Sequence, residues 1–205
     1  MNYYIVKKFA GDWDAILKAK ISGYPWGGSY RPEAYAKLAY DDNGLLLSLT
    51  AVEERENMRR VEEGLSTKVH LDSCLEFFLM PLENDPRYIN FEVNPNGAHN
   101  IGIGDGRPNR YRFTAEELSP IEIKAAAADA ESGFIRWDAF VTIPQSFIAQ
   151  RFDGFSLTGA GQVMRGNFMI CGDNTPTPHF GMWSKGGTPT PDYHQSKYFG
   201  YLELK

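Results

Sequence analysis

Short runs rich in aromatic and β-branched residues, each closed by a Gly, Pro, Asn or Asp turn signal, recur along almost the whole chain. Segments 45–52, 71–80, 88–93, 134–143, 163–171 and 198–204 have this character, and such runs fold as β-strands rather than as helices. Asp42-Asn43-Gly44, Asn84-Asp85-Pro86, Asn94-Pro95-Asn96-Gly97 and Asp153-Gly154 supply the turns between them. Only 114–118 and 144–150 carry helical spacing, the second with Pro144 in the first turn, where proline is tolerated. The pattern predicts an all-β fold: a two-sheet antiparallel β-sandwich, jelly-roll-like, with one or two short helical turns. At 205 residues, without a Pro/Ser-rich linker or internal repeat, it is expected to form a single domain over 1–205.

Charge excludes some partners. With 21 basic against 26 acidic side chains, the chain lacks the cationic excess that nucleic acid or an anionic membrane would need. No apolar run approaches the roughly 20 residues of a bilayer-spanning helix. The N-terminal residues show no secretory signal, so the expected location is cytoplasmic, or extracellular or periplasmic if a signal has been removed. Cys74 and Cys171 are expected to be buried thiols, with a single bridge as the alternative in an exported protein.

Alternation assigns faces. Ile89, Phe91 and Val93 share one side of their strand, and Asn90, Glu92 and Asn94 share the other. Leu75, Phe77 and Leu79 oppose Cys74, Glu76 and Phe78, while Phe168 and Ile170 oppose Arg165, Asn167 and Met169. With the apolar rows in the core, Glu76, Glu92, Asn94, Arg165 and Asn167 fall on outer sheet faces. The long Gly- and Pro-rich segment 171–197 carries Asp173, His179, Trp183, Asp192 and His194, and long loops in compact domains are usually functional.

Carboxylates, amides and an arginine beside a tryptophan suit a sugar. Pyranose C–H faces stack on aromatic rings, and the hydroxyl belt needs fixed donors and acceptors. The bland alternative is a solvated sheet face with Trp183 plugging a loop. Asp72, Glu76 and Glu92 offer carboxylates for a glycosidase, the enzyme alternative. Ser73, His179 and Asp192 lack a nucleophile elbow. Gly102–Gly106 opens no helix and therefore makes no phosphate loop. His70, His99, His179 and His194 show no metal-ligand spacing. No cofactor is expected; structural Ca²⁺ in the Asp- and Asn-rich turns is the one metal the composition suggests.

The blocks Leu71-Asp72-Ser73-Cys74-Leu75-Glu76-Phe77-Phe78-Leu79 and Tyr88-Ile89-Asn90-Phe91-Glu92-Val93-Asn94-Pro95-Asn96-Gly97 resemble carbohydrate-binding module family 9 domains. So do Arg165-Gly166-Asn167-Phe168, Cys171-Gly172-Asp173, Pro178-His179-Phe180, Trp183 and Pro191-Asp192-Tyr193-His194, followed by Tyr198-Phe199-Gly200. The resemblance implies a sandwich that binds sugars without cleaving them, as xylanase-attached modules hold glucan or xylan chain ends between two tryptophans. By that resemblance Trp183 is one wall of the clamp, Glu76 the strand carboxylate, and Glu92 and Asn94 the paired polar positions. Arg165 and Asn167 fall among the further hydroxyl partners. Where the family commonly has its other tryptophan, this chain has His70, so that wall is weakened or Trp26 replaces it. After Trp183, Ser184-Lys185-Gly186-Gly187 stands in place of an Asn-Pro pattern. The remaining alternative is a structural or partner-binding sandwich that has lost its sugar site.

Overall fold

The computed structural model describes all residues, Met1–Lys205. Strand accounts for 43% of the chain and helix for 5%. In chain order the strands are β1 (Tyr3–Lys8), β2 (Ala19–Lys20), β3 (Glu33–Tyr40), β4 (Gly44–Glu54), β5 (Cys74–Met80), β6 (Tyr88–Val93) and β7 (His99–Gly104). They continue as β8 (Tyr111–Arg112), β9 (Glu122–Asp129), β10 (Phe134–Pro144), β11 (Val163–Gly172), β12 (His179–Met182) and β13 (Gly200–Leu204). The one α-helix, α1 (Gln145–Ala149), follows β10 directly, so no helix is long and apolar enough to cross a membrane.

Hydrogen bonding runs along one path, β8-β7-β6-β5-β11-β13-β1-β3-β4-β10-β9, with β12 added to β11 and β2 to β3. This differs from two purely antiparallel sheets. β1 is parallel to both neighbours, pairing Tyr3–Val6 with β13 and then Lys7 and Lys8 with β3. By changing partner midway, β1 joins the two halves into a curled mixed sheet. The halves close on one core, to which β5, β6 and β11 bring Phe77, Phe91 and Phe168, and β3, β4 and β10 bring Leu38, Leu47 and Val141. The three phenylalanines form a continuous stack, at 6.0 and 5.0 Å between ring centroids.

The turn chemistry acts locally as read. Asp41 Oδ1 accepts from the N–H groups of Asn43 and Gly44 at 2.8 and 2.9 Å, closing the β3–β4 hairpin. Segment 114–118 forms no regular helix: it closes as a capped turn in which Glu117 accepts from the Thr114 N–H and Thr114 Oγ1 from the Glu117 N–H.

The face expected to be outer is not solvated. Asn90, Glu92, Asn94, Glu76 and Asn167 are all buried. A second apolar cluster containing Phe78, Tyr88, Met169, Met182, Tyr193 and Phe199 covers part of that face. The cover is the long segment after β11, which folds back across β5, β6 and β11. Tyr193 fastens it by donating its hydroxyl to Ile170 O at 2.8 Å.

Candidate functional site

Between this cover and the sheet lies a cavity of about 360 Å³. Register builds its floor: Glu76 on β5 sits opposite Glu92 on β6, which sits opposite Asn100 on β7. Beside them Cys74 faces Cys171, which faces Phe180 on β12. His70, Asp173, Arg107, Arg110, Arg112, Asp192, Tyr193 and His194 complete the walls with Asn90 and Pro191. His70 rides on a 3₁₀ turn, Val69–Leu71. That turn is anchored by fully buried Asp72, which accepts from Val61 N–H, Glu62 N–H and Asn94 Nδ2 and pairs with Arg59.

A chain of side chains organises the charges. Arg110 Nε donates to Asn90 Oδ1 at 3.0 Å, and Asn90 Nδ2 donates to Glu92 Oε1 at 2.8 Å. From the other side Arg112 Nη1 donates to Asn100 Oδ1 at 2.9 Å, and Asn100 Nδ2 donates to Glu92 Oε2 at 3.0 Å. Both Glu92 oxygens thus receive amide N–H groups polarised by guanidinium ions. Burial still pushes the Glu92 carboxyl up, against these contacts. Glu76 lacks such support. Burial, then the negative charge of Glu92, pushes its carboxyl well above the usual range, while a 3.0 Å contact from Cys171 Sγ opposes the shift. The pair therefore favours a protonated Glu76 beside Glu92.

Two loops meet over this floor. Arg107 Nε donates to Asp192 Oδ1 at 3.1 Å, and Tyr88 Oη shares a 2.7 Å hydrogen bond with His194 Nδ1. Burial, then Arg110, lowers His194 to about 3, so its ring is neutral at pH 7. Burial would raise Asp192, but Gln195, the His194 N–H and Arg107 hold it below the ordinary carboxylate range.

The expected site residues divide. His70, Glu76 and Glu92 line the cavity together. Trp183 does not: it is 8% exposed and packs in the main core, edge-on to Tyr4 and Phe168 at 6.2 and 5.5 Å. Gly200 makes that seat, since a Cβ there would lie 2.4 Å from the indole ring. Trp26 stands behind the wall, against Tyr193 and Phe180, with its Nε1–H on Thr188 O. Asn94 shapes the turn after β6, accepting from the Asn96 and Ala98 N–H groups. Asn167 is held by Ser184, accepting from its N–H and donating to its carbonyl. Arg165 donates to Phe199 O at 2.8 Å and braces the last loop. Each of these three makes local contacts that hold backbone in place. Asn100 and the three arginines are not among the expected site residues: Gly102 and Gly104 blur the alternation of β7, and Arg107, Arg110 and Arg112 follow it outside the strand runs that the pattern marks.

Cys74, Glu76 and Cys171 place one ligand atom each within 4.8 Å of one another, the one such group of three. Two sulfurs suit a soft ion and do not fit the oxygen-rich shell of Ca²⁺. Burial first pushes Cys74 up to about 12, and the Cys74 contact and burial raise Cys171 well above its usual value, so both remain thiols.

The family model for carbohydrate-binding family 9 matches residues 11–204, and the chain belongs to that family. A Bacteroides uniformis protein proposed to bind carbohydrate is similar over 100% of this chain and 98% of its own, with 29% identity and a TM-score of 0.83. Two structures of a family 9 carbohydrate-binding module from Caldicellulosiruptor kristjanssonii share the fold at 12% identity. The cellotriose complex has a TM-score of 0.59, covering 100% of this chain and 94% of the other. The glucose complex has a TM-score of 0.58, covering 100% and 96%. No curated protein matches the chain at a significant level.

Proposed function

We propose that the chain binds a carbohydrate, a glucan- or xylan-type mono- or oligosaccharide, in the cavity over β5, β6 and β7, without cleaving it and in the service of carbohydrate catabolism. The observation that carries this reading is the row Glu76–Glu92–Asn100, bounded by Phe180 and Tyr193. A protonated acid, a carboxylate and an amide offer a ring of hydroxyls both donors and acceptors, and the aromatic side chains offer its C–H faces a wall. Family membership, and the glucose and cellotriose bound by the C. kristjanssonii module, support the same reading.

Calorimetric titration of glucose, cellotriose and xylotriose against wild type, Glu76→Gln and Glu92→Gln tests it. A loss of about tenfold in affinity in each variant is expected, because an unmatched hydroxyl partner costs on the order of 1–2 kcal/mol. Absence of heat with all three sugars in the wild type, or equal affinities in all three proteins, overturns it. A protonated Glu76 beside Glu92 is also the pairing that glycosidases use. Both Glu92 oxygens, however, are already hydrogen-bonded by amides, which favours binding over nucleophilic attack. Turnover of aryl glycosides lost in both variants would reverse that preference.

A further inference from the structure

We propose that the cavity selects an acidic sugar unit, a hexuronate, over its neutral counterpart, with the sugar carboxylate received at the rim by Arg112 and Arg107. The proposal rests on the carbohydrate reading of the site and names its ligand class.

The three arginines of the wall are not equivalent. Arg110 is committed: Nη1 donates to Gly106 O at 3.0 Å, Nη2 to Tyr88 O at 3.2 Å and to Gly102 O at 3.1 Å, and Nε to Asn90. Its guanidinium also lies 4.4 Å over the Tyr88 ring. It acts as a fixed positive charge behind the floor. Arg112 makes one hydrogen bond, from Nη1 to Asn100, and no ion pair, and it is exposed at the mouth. Arg107 gives only Nε, to Asp192, and its side chain is 61% exposed. The outer N–H groups of both are uncommitted, and a carboxylate is the group that two such forks receive with charge-assisted bonds.

The acids of the cavity offset these charges only in part. Glu92 sits behind its two amides, where its charge acts on Arg110 and Arg112, and burial raises the Glu76 and Asp173 carboxyls. Asp192 offsets Arg107 alone. At the rim stand Arg112, which has no ion pair, and Arg107, shared with Asp192, a modest cationic pair that matches a monoanionic carboxylate better than a phosphate dianion. Stacking points the same way. Neither indole near the site lines the cavity, Trp183 being in the core and Trp26 behind Tyr193. With Phe180 and Tyr193 but no indole as its aromatic wall, the site gains most of its selectivity from charge and hydrogen bonds.

Calorimetry or ligand-observed NMR on the whole chain, with glucose, glucuronate, glucuronate methyl ester and glucose 6-phosphate at low and high salt, tests the proposal. Glucuronate is expected to bind about tenfold tighter than glucose or the ester at low salt, with the advantage shrinking as salt rises. In Arg112→Gln the ratio of glucuronate to ester affinity should fall toward one. The wild-type acid-to-ester comparison decides the matter even if that variant fails to fold. Glucose or the ester binding as tightly as glucuronate overturns the preference and leaves carbohydrate binding standing. Glucose 6-phosphate binding tighter than glucuronate overturns the carboxylate assignment. If none of the four binds, and the neutral oligosaccharides also fail, the carbohydrate reading falls with it.

Discussion

Glu53 and Glu76 are both carboxyls buried among strands of the same sheet, and their surroundings differ in kind. Glu53, on β4, is fully enclosed: Oε1 accepts from Trp137 Nε1 at 2.8 Å and Oε2 from Ser73 Oγ at 2.9 Å. His179 Nε2 lies 3.9 Å from Oε2, buried and without a hydrogen-bond partner. Burial raises Glu53 to about 7 and lowers His179 to about 4, so near neutral pH this contact is not a full ion pair. Glu76 is also buried, but it lines the cavity and its one hydrogen-bond partner is the weak Cys171 thiol. A polar group that the protein satisfies on every side serves the fold, whereas one left for a ligand serves binding.

The largest expected effect lies on the enclosed side of this comparison. Trp183→Ala removes an indole from the main core and should cost about 3–5 kcal/mol of stability, read by urea denaturation. A variant of wild-type stability that has lost sugar binding would return Trp183 to the site and break the comparison.

A pH series on the enclosed cluster comes next. Glu53 binds its proton more tightly folded than unfolded. Its contribution is therefore complete below pH ~4.5 and is lost as pH rises through about 7. Glu53→Gln, which keeps the shape, should gain on wild type by on the order of 3 kcal/mol across that window. His179 has the opposite sign: its contribution is present above pH ~6.5 and lost as pH falls through about 4. His179→Gln should gain on wild type as pH falls. A pH-independent difference in denaturation midpoints for both variants would show that neither group is held as described.

How much of this was legible in the sequence depends on the strand. In β6 apolar and polar residues alternate from Ile89 to Val93, and in β5 Glu76 breaks the apolar run, so spacing alone assigns Phe77 and Phe91 to the core and Glu76 and Glu92 to the other face. β7, His99-Asn100-Ile101-Gly102-Ile103-Gly104, is absent from the strand runs that the pattern marks because glycine occupies its informative positions. Those glycines admit the arginine wall: a Cβ on Gly102 would lie 2.9 Å from Tyr111 O, and one on Gly104 would lie 3.2 Å from the Arg110 side chain. β9 runs through Ala125–Ala128, whose local propensity is helical, and becomes a strand by pairing with β10. Trp183 shows a different limit. A motif names the indole, but whether it faces ligand or core is decided by a gap at Gly200, distant in sequence. Likewise the polar face and the functional weight of 171–197 are legible, but that this segment folds over that face is not, because spacing within a strand carries no information about which loop covers it.

The smallest effect on stability should come from the open carboxyl, and the contrast with Glu53 makes it informative. Glu76→Gln replaces a buried, largely protonated acid by an amide of the same shape, so the Cys171 contact persists and no new charge is buried. Stability should change by less than about 1 kcal/mol. Glu53→Ala, in contrast, orphans the Trp137 N–H and the Ser73 hydroxyl and should cost about 3 kcal/mol. Ligand affinity should reverse this order, falling about tenfold in Glu76→Gln and staying within twofold in Glu53→Gln. Denaturation and titration on the same samples decide it. If Glu76→Gln unfolds the chain as readily as Glu53→Ala does, Glu76 belongs to the scaffold, and the cavity loses the group on which its claim to a ligand rests.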